Sequence, residues 1–366
     1  MSNGIRERTD TLVIGGGQAG LAVGYHLTQA AIPFLIVDAN ARTGDSWRNR
    51  WDSLRLFTPN RFNSLPGLPI SGEDWGFPTK DETGDYLETY ARHFELLIRH
   101  GVKIDRLTRD GGRFIATAGE LEFEAENVVV AMASFQEPKL PEFALELDSR
   151  IFQIHGVDYR NPGQLREGDV LVVGRGNSGA EIAKELARDR QVWLSGRSTG
   201  QLPFRPEALS GRILMPRAKF VMTRVLTTST PIGRKARPKF LAKGSPLLRV
   251  KKKDLSAAGV EMVPRTVGAV DGYPKLEDGR VLDVDNVVWC TGFEPGFTWI
   301  DLPVFDEDGA VAHNRGVAEA EPGLYFVGLK FLHSALSDTL AVVGRDAGYV
   351  VDRIVERRPV AQAVST

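Results

Sequence analysis

Two glycine loops of one form, G-x-G-x-x-G, recur in this chain, and each sits between a short apolar run and a stretch of helical periodicity. The first follows Thr11–Ile14, reads Gly15-Gly-Gly-Gln-Ala-Gly20, and opens a helix-period stretch from Leu21 to about Ala30. Phe34–Val37 comes next and ends on Asp38. The second follows Val170–Val173, reads Gly174-Arg-Gly-Asn-Ser-Gly179, and runs through Ala180–Arg188 to Gln191–Leu194. Short apolar runs of this kind read as buried parallel strands. One glycine fingerprint alone would fit an ordinary turn. Two, each set strand–turn–helix–strand, predict two βαβ units that cradle dinucleotides.

The residue types within each loop suit that task. Gly15 permits the tight turn, Gly17 lets the main chain approach a pyrophosphate, and Gly20 allows close helix–strand contact. Gln18 and Ala19 open the helix, whose free N–H groups and positive dipole end face the anion. Asp38 lies 23 residues after Gly15 and Ala39 follows it, where a carboxylate accepts from ribose hydroxyls but repels a 2′-phosphate. This end suits the adenosine of FAD. In the second loop, Gly174, Gly176 and Gly179 take the glycine places, with Asn177 and Ser178 at the helix start. No carboxylate ends its second strand; Arg197 lies 23 residues after Gly174, flanked by Ser195 and Ser198. A guanidinium there can pair with a 2′-phosphate and a serine can add a hydrogen bond, which points to NADPH. The plain alternative is a solvated surface arginine.

The expected fold is α/β, with two Rossmann-like dinucleotide-binding domains. The NADPH domain, 166–285, is inserted into an FAD domain formed by 1–165 and 286–366. Between the repeats, Asp81–His100 has helical periodicity, with Tyr86, Leu87, Tyr90, Phe94 and Leu97 on one face. Arg113–Thr117, Leu121–Ala125 and Val128–Met132 read as strands, and Glu137–Pro141 as a crossing. Val287–Gly292 and Leu324–Gly328 are strands running into turns, and the last helix spans about Thr339–Val355.

Composition excludes several other classes. The net charge of −1 gives no reason to expect a nucleic-acid partner. Cys290 is the only cysteine, so no disulfide, cysteine-ligated metal site or redox dithiol forms within the chain. The six histidines are scattered, and no metal site is expected. No apolar run reaches transmembrane length and the N-terminus is polar, so a soluble, cytoplasmic protein is expected. Charge is uneven, however. Arg205–Lys253 holds fourteen Lys/Arg and one acid, Glu207, a local charge of +13. Apolar residues from Ile213 to Leu226 interleave with it. A solvated helical face is the usual meaning of such a run; a lid over a substrate entrance and contact with an acidic membrane surface also fit, the lid being favoured over the membrane.

Around these loops the chain resembles the class B flavin-dependent monooxygenases, especially the YUCCA-type branch, over most of its length. The resemblance rests on Thr43-Gly-Asp-Ser-Trp-Arg48, Trp51–Pro59, Phe77-Pro-Thr-Lys80, Asp85–Ala91, Gly174–Glu181 and Cys290-Thr-Gly-Phe293. It implies reduction of FAD by NADPH, then oxygen transfer from a C4a-hydroperoxyflavin to a small organic substrate. It places Trp47, Arg48, Leu54, Phe57 and Thr58 beside the flavin, with Ala131, Gly328 and His333 nearby. Ser337, Thr339 and Leu340 would point backbone N–H groups at the flavin's pyrimidine side. The chain departs from the family at three places. Ser149 and Ile151 replace the Phe and Gly of the identifying stretch, although His155 and Tyr159 fit its second half. Ala131-Met-Ala-Ser134 replaces Ala-Thr-Gly, and Phe57 stands where animal-type members carry asparagine. A two-dinucleotide reductase serving ferredoxin and a non-enzymatic redox sensor are the competing readings. Leu329 after Gly328, where such reductases commonly carry aspartate, disfavours the reductase.

Overall fold

The first glycine loop joins β1 (Ile5–Ile14) to α1 (Gln18–Gln29), which returns as β2 (Phe34–Asp38). Then come α2 (Lys80–His93), β3 (Ile98–His100) and β4 (Leu121–Val130). The middle of the chain forms β5 (Phe152–His155), β6 (Val170–Val173), α3 (Asn177–Leu186) and β7 (Val192–Ser195). Two basic helices follow, α4 (Leu209–Phe220) and α5 (Pro231–Ala242), then β8 (Glu261–Val263) and β9 (Asn286–Trp289). The last elements are β10 (His313–Asn314), β11 (Val317–Ala318), β12 (Leu324–Phe326) and α6 (Val343–Arg357). The computed structural model describes residues 5–242 and 244–358. Residues 1–4 and 359–366, within the expected FAD domain, and Lys243 of the basic stretch lie outside the described residues.

Two large sheets result. The first follows the order β10-β11-β12-β4-β1-β2-β3, with the hairpin of Arg106–Asp110 and Arg113–Ala118 beside β4. The second has the order β8-β7-β6-β9-β5, and all its pairings are parallel. In both, the strand before the glycine loop lies centrally. Its helix leads to a neighbour on one side, while the other side is filled from elsewhere in the chain. That reversal opens a crevice at the strands' carboxyl ends, directly at the loop.

Strands β5 and β9 pair in the second sheet, although the expected bounds of 166–285 left both outside the second unit. An apolar strand carries no local mark of the sheet it will join. The chain passes between the sheets twice, and the two passages pair: Glu137–Pro138 runs antiparallel to Phe293–Glu294, and Lys139 N donates to Gly292 O at 3.0 Å.

Three expected elements differ in extent. Asp81–His100 is a helix only to His93. A Thr79–Glu82 capping box starts it, and Glu95 turns left-handed at φ 51°, freeing Ile98–His100 to pair with β2. Leu97 is consequently 62% exposed, while Tyr86, Leu87 and Tyr90 are buried. Leu121–Ala125 and Val128–Met132 merge into β4, which ends at Val130: of the two residues between them, Glu126 pairs with Arg113 and buried Asn127 accepts from Arg357 at 3.0 Å. The last helix begins at Val343, not Thr339, since 337–342 form turns. Among the described residues, no helix is long and apolar enough to cross a membrane.

Candidate cofactor site

In each glycine loop the outer glycines leave no room for a side chain, whereas the middle one faces open space. Gly15 has φ 111°, and a Cβ there would lie 3.0 Å from Ala131 O at the end of β4. A Cβ on Gly20 would lie 1.8 Å from Gly15 O, and one on Gly179 would lie 1.9 Å from Gly174 O. These glycines let each helix abut its own strand. Gly17 and Gly176 differ: a Cβ at either would meet nothing within 4 Å. Open space therefore faces the starts of α1 and α3, whose caps, Gly17 and Gly176, offer no side-chain acceptor. Free N–H groups aimed into such space fit a pyrophosphate.

Residues from distant parts of the chain gather at the first loop. Asp38 is buried, and its carboxylate accepts from Gly16 N and from Asn40 N at 2.7 Å. Ala131 is held by its N–H on Ile14 O at 2.8 Å, and Gly328 turns at φ 87° against Ala19. Gln18 joins two more segments: it accepts from Trp47 Nε1 at 3.1 Å and donates to Asp338 O at 3.0 Å. Leu54 is buried, and its carbonyl accepts from Lys80 N at 3.2 Å. Arg48 belongs to the same segment, but Asp85, Glu88 and Thr43 O occupy its guanidinium.

Other flavin-side candidates are occupied within the protein. Ser337 is fully buried; its hydroxyl accepts from His333 N and Ser334 N at 3.1 and 2.9 Å and bonds Asp346. Thr339 Oγ1 donates to Leu336 O at 2.7 Å, and Leu340 is buried. These residues form a turn ahead of α6, so the turn's own backbone, not a helix N-terminus, is what a ligand would meet. Thr58 donates to Asn63 Oδ1 at 2.5 Å, whereas Phe57 is 40% exposed. His333 lies beside Thr228 Oγ1 at 3.1 Å; burial, Arg315 and Arg345 push its ionisation down to about 4, so the ring is neutral near pH 7. Two atoms that the sequence did not single out, Trp51 Nε1 and Asn60 Oδ1, are buried without a hydrogen-bond partner among the described residues. Buried polar atoms are seldom left unsatisfied, which fits a segment lying against a polar ligand.

At the second loop the register corrects the residue count. Val37 pairs with Ile14 in the first sheet, and Ser195 with Val173 in the second. Asp38 therefore matches Gly196, and Arg197 stands one place further on. Ser195 faces inward and is fully buried, bonded to Pro264 O at 2.9 Å and Thr266 Oγ1 at 2.8 Å, so its hydroxyl cannot serve a phosphate. Gly196 lies against Arg175, where a Cβ would come within 3.2 Å of Arg175 N, and Arg175 Nη1 donates to Gly196 O at 3.2 Å. Arg197 and Ser198 are exposed. Arg175 is thus a second cation at this cradle, and its position inside the glycine motif was the available signal. Asn177 accepts from Leu248 N at 2.9 Å and donates to Pro246 O at 3.0 Å, so its amide ties the basic segment to α3. Ser178 is exposed. Cys290 lies directly behind the loop, where a Cβ on Gly174 would come within 2.1 Å of its carbonyl oxygen, and burial pushes its thiol up to about 12.

The basic segment closes over the 333–345 turn. Thr228 N donates to His333 O at 2.8 Å, Ala335 N to Leu226 O at 3.1 Å, and Arg345 Nη1 to Thr223 O at 3.0 Å. A cavity of about 310 Å³ remains between them, lined in part by Leu65, Lys219, Arg224 and Leu340. Histidine 155 holds a junction between sheet and crossing: its Nε2 lies 3.2 Å from Gly292 O, and Tyr159 donates to Glu185 at 2.8 Å.

Comparison with known proteins agrees with this arrangement. The family model for pyridine nucleotide-disulphide oxidoreductases matches residues 12–213. The uncharacterized CzcO-like oxidoreductase of Geobacillus kaustophilus is 41% identical, over 94% of this chain and 98% of its own length. Indole-3-pyruvate monooxygenase YUCCA8 of Oryza sativa is 27% identical, over 92% of this chain and 90% of its own. Among solved structures, a flavin-containing monooxygenase from Stenotrophomonas maltophilia superposes with a TM-score of 0.77 at 26% identity. That match covers 96% of this chain and 99% of the other.

Proposed function

The chain belongs to the pyridine nucleotide-disulphide oxidoreductase family, and from that membership we propose that it is an NADPH-dependent flavoprotein monooxygenase acting on a small organic substrate. The observation that carries this reading is the pair of cradles with opposite charge at their far ends. Asp38 closes the first; Arg175 and Arg197 stand at the second. FAD fits the first and NADPH the second. The disulphide chemistry in the family's name does not extend to this chain, which has one cysteine.

We read the two sheets as two Rossmann-like domains. The second runs from about the 137–141 crossing to the 290–294 crossing and is inserted into the first. Bound flavin would supply two-electron reduction by NADPH and activation of dioxygen. The protein's part is position and exclusion of water. The start of α1 would hold the pyrophosphate, with Asp38 accepting from the adenosine ribose. Gln18 fixes Trp47 and the Asp338 carbonyl against the start of α1. Backbone N–H groups of the 337–340 turn would offset negative charge on a reduced ring. The 222–228 part of the basic segment bonds to 333–335, just ahead of that turn, which supports a substrate-side lid over membrane contact; its cations would draw in acidic substrates.

The test is to reduce purified protein anaerobically with NADPH, mix it with ¹⁸O₂, and analyse products from a panel of amines, sulfides, ketones and 2-oxo acids by mass spectrometry. One label atom in product, with NADPH consumed, is the expected result. Reduction of the flavin without label in any product would refute oxygen transfer.

A further inference from the structure

A second cavity, of about 340 Å³, opens between α5 and the edge hairpin of the first sheet. Strands β12 and β4 separate that hairpin from β1, and neither glycine loop contributes to the lining. Its polar lining is Thr228, Arg234, Arg237, His313, Asn314 and Arg315; none of its lining residues is acidic. Arg234 and Arg237, three residues apart, share one face of α5.

The arginines are built into place. Arg315 lies in the tight turn between β10 and β11 with φ 50°, a left-handed conformation that costs a side-chain-bearing residue energy. Its guanidinium lies 3.9 Å from the centre of the Tyr349 ring. Nε of Arg315 and Nε of Arg237 are both buried without a hydrogen-bond partner among the described residues. Such donors are normally satisfied. The nearby carboxylate, Asp346 on α6, is fully buried and engaged by Arg345, and its attraction offsets part of the charge of Arg315. His313 Nδ1 accepts from Gly316 N at 3.2 Å, which leaves the proton of the neutral ring on Nε2. Burial and Arg237 push that ring's ionisation down to about 4, as expected beside uncompensated positive charge.

We propose that this cavity binds a small ligand through an oxyanion group, a carboxylate or a phosphate, gripped by Arg237 and Arg315 with Arg234 at the side. Guanidinium forks match the paired oxygens of both groups, and the volume is that of a small-metabolite site. Thr228 lines the cavity and also bonds His333, so an occupant would lie one residue away from that ring. The proposal stands apart from the flavin reading.

Calorimetric titration at low ionic strength tests it, with NADP⁺ saturating so that Arg175 and Arg197 are already covered. Inorganic phosphate, phenyl phosphate, benzoate and citrate are the probes, and chloride is the control. Saturable binding of one probe class is expected, with affinity falling at least tenfold in Arg237→Gln and in Arg315→Gln. The class that binds identifies the source of the oxyanion. In the unmodified protein, that probe protects Arg237 and Arg315 from phenylglyoxal, read by peptide mass spectrometry, which keeps the test valid should either variant misfold. Absence of saturation by every probe, unchanged affinity in both variants, or equal modification of both arginines with and without probe would overturn the proposal.

Discussion

The two glycine cradles share a backbone and differ in what stands where the ribose would lie. In the first, Gly16 makes room for Asp38, whose Cβ is already 3.0 Å from where a Gly16 Cβ would be. In the second the sizes are exchanged: Arg175 takes the place of Gly16, and Gly196 that of Asp38. Buried Ala22 on α1 has Glu181 as its counterpart on α3. One geometry therefore serves two electrostatic purposes. The pairing of a small residue with a charged one decides the sign, and either member can carry the charge.

The largest expected effect is common to both cradles. Gly20→Ala and Gly179→Ala each drive a Cβ into a backbone oxygen that cannot move alone, and each should cost about 3 kcal/mol or more. Thermal melts of the apoproteins check this; a shift within about 2 °C would break the claim that helix–strand contact is limiting. The middle glycines should separate the cradles functionally. Gly17→Val is expected to melt like wild-type apoprotein yet purify without flavin, whereas Gly176→Val keeps flavin and raises the KM for NADPH roughly tenfold or more. Loss of flavin from the Gly176 variant, read from visible absorbance, would contradict the assignment.

The charge exchange can be tested more finely. Arg175→Gln and Arg197→Gln should each reduce NADPH efficiency by roughly tenfold, on the basis of about 1.5 kcal/mol per charged hydrogen bond, and leave NADH efficiency unchanged. An equal loss with both nucleotides would remove the 2′-phosphate role. The last effect is on stability alone and concerns Glu181. Burial, opposed by Arg249 and Lys184, raises its carboxyl from an ordinary 4.5 to about 7. The folded state then holds a proton that the unfolded state releases. Stability from this group is full below about pH 4.5, declines as pH rises to about 7, and is level above. Glu181→Gln should flatten that slope and be more stable at pH 8 by on the order of 2 kcal/mol. An unchanged slope in melts across pH 4–8 would show that Glu181 is not the group responsible.

Much of this was legible without coordinates, and the failures have identifiable causes. Glycine spacing located both loops because the positive φ of Gly15 and the approach of Gly20 to Gly15 O arise within a few residues of each other. The same count misplaced Arg197 by one position, since α3 is two residues shorter than α1 and the link that follows it only one residue longer. Ser195 was read as a phosphate donor, but its hydroxyl is spent on Pro264 and Thr266. Ser337 likewise serves Asp346 and its own turn. No local pattern marks Pro264 and Thr266 as partners of Ser195, or Asp346 as the partner of Ser337.

By itself, the order of residues determined the two strand–loop–helix–strand units, the acidic end of one, the basic neighbourhood of the other and the absence of a dithiol. Each follows from covalent neighbours or from composition, where short-range sterics and charge suffice. Tertiary structure alone decided that β5 and β9 complete the second sheet and that Arg175 lies on Gly196. It also seats 222–228 on the 333–335 turn and turns Arg237 and Arg315 into one cavity. Those outcomes depend on register and packing between segments far apart in the chain, which no local pattern encodes.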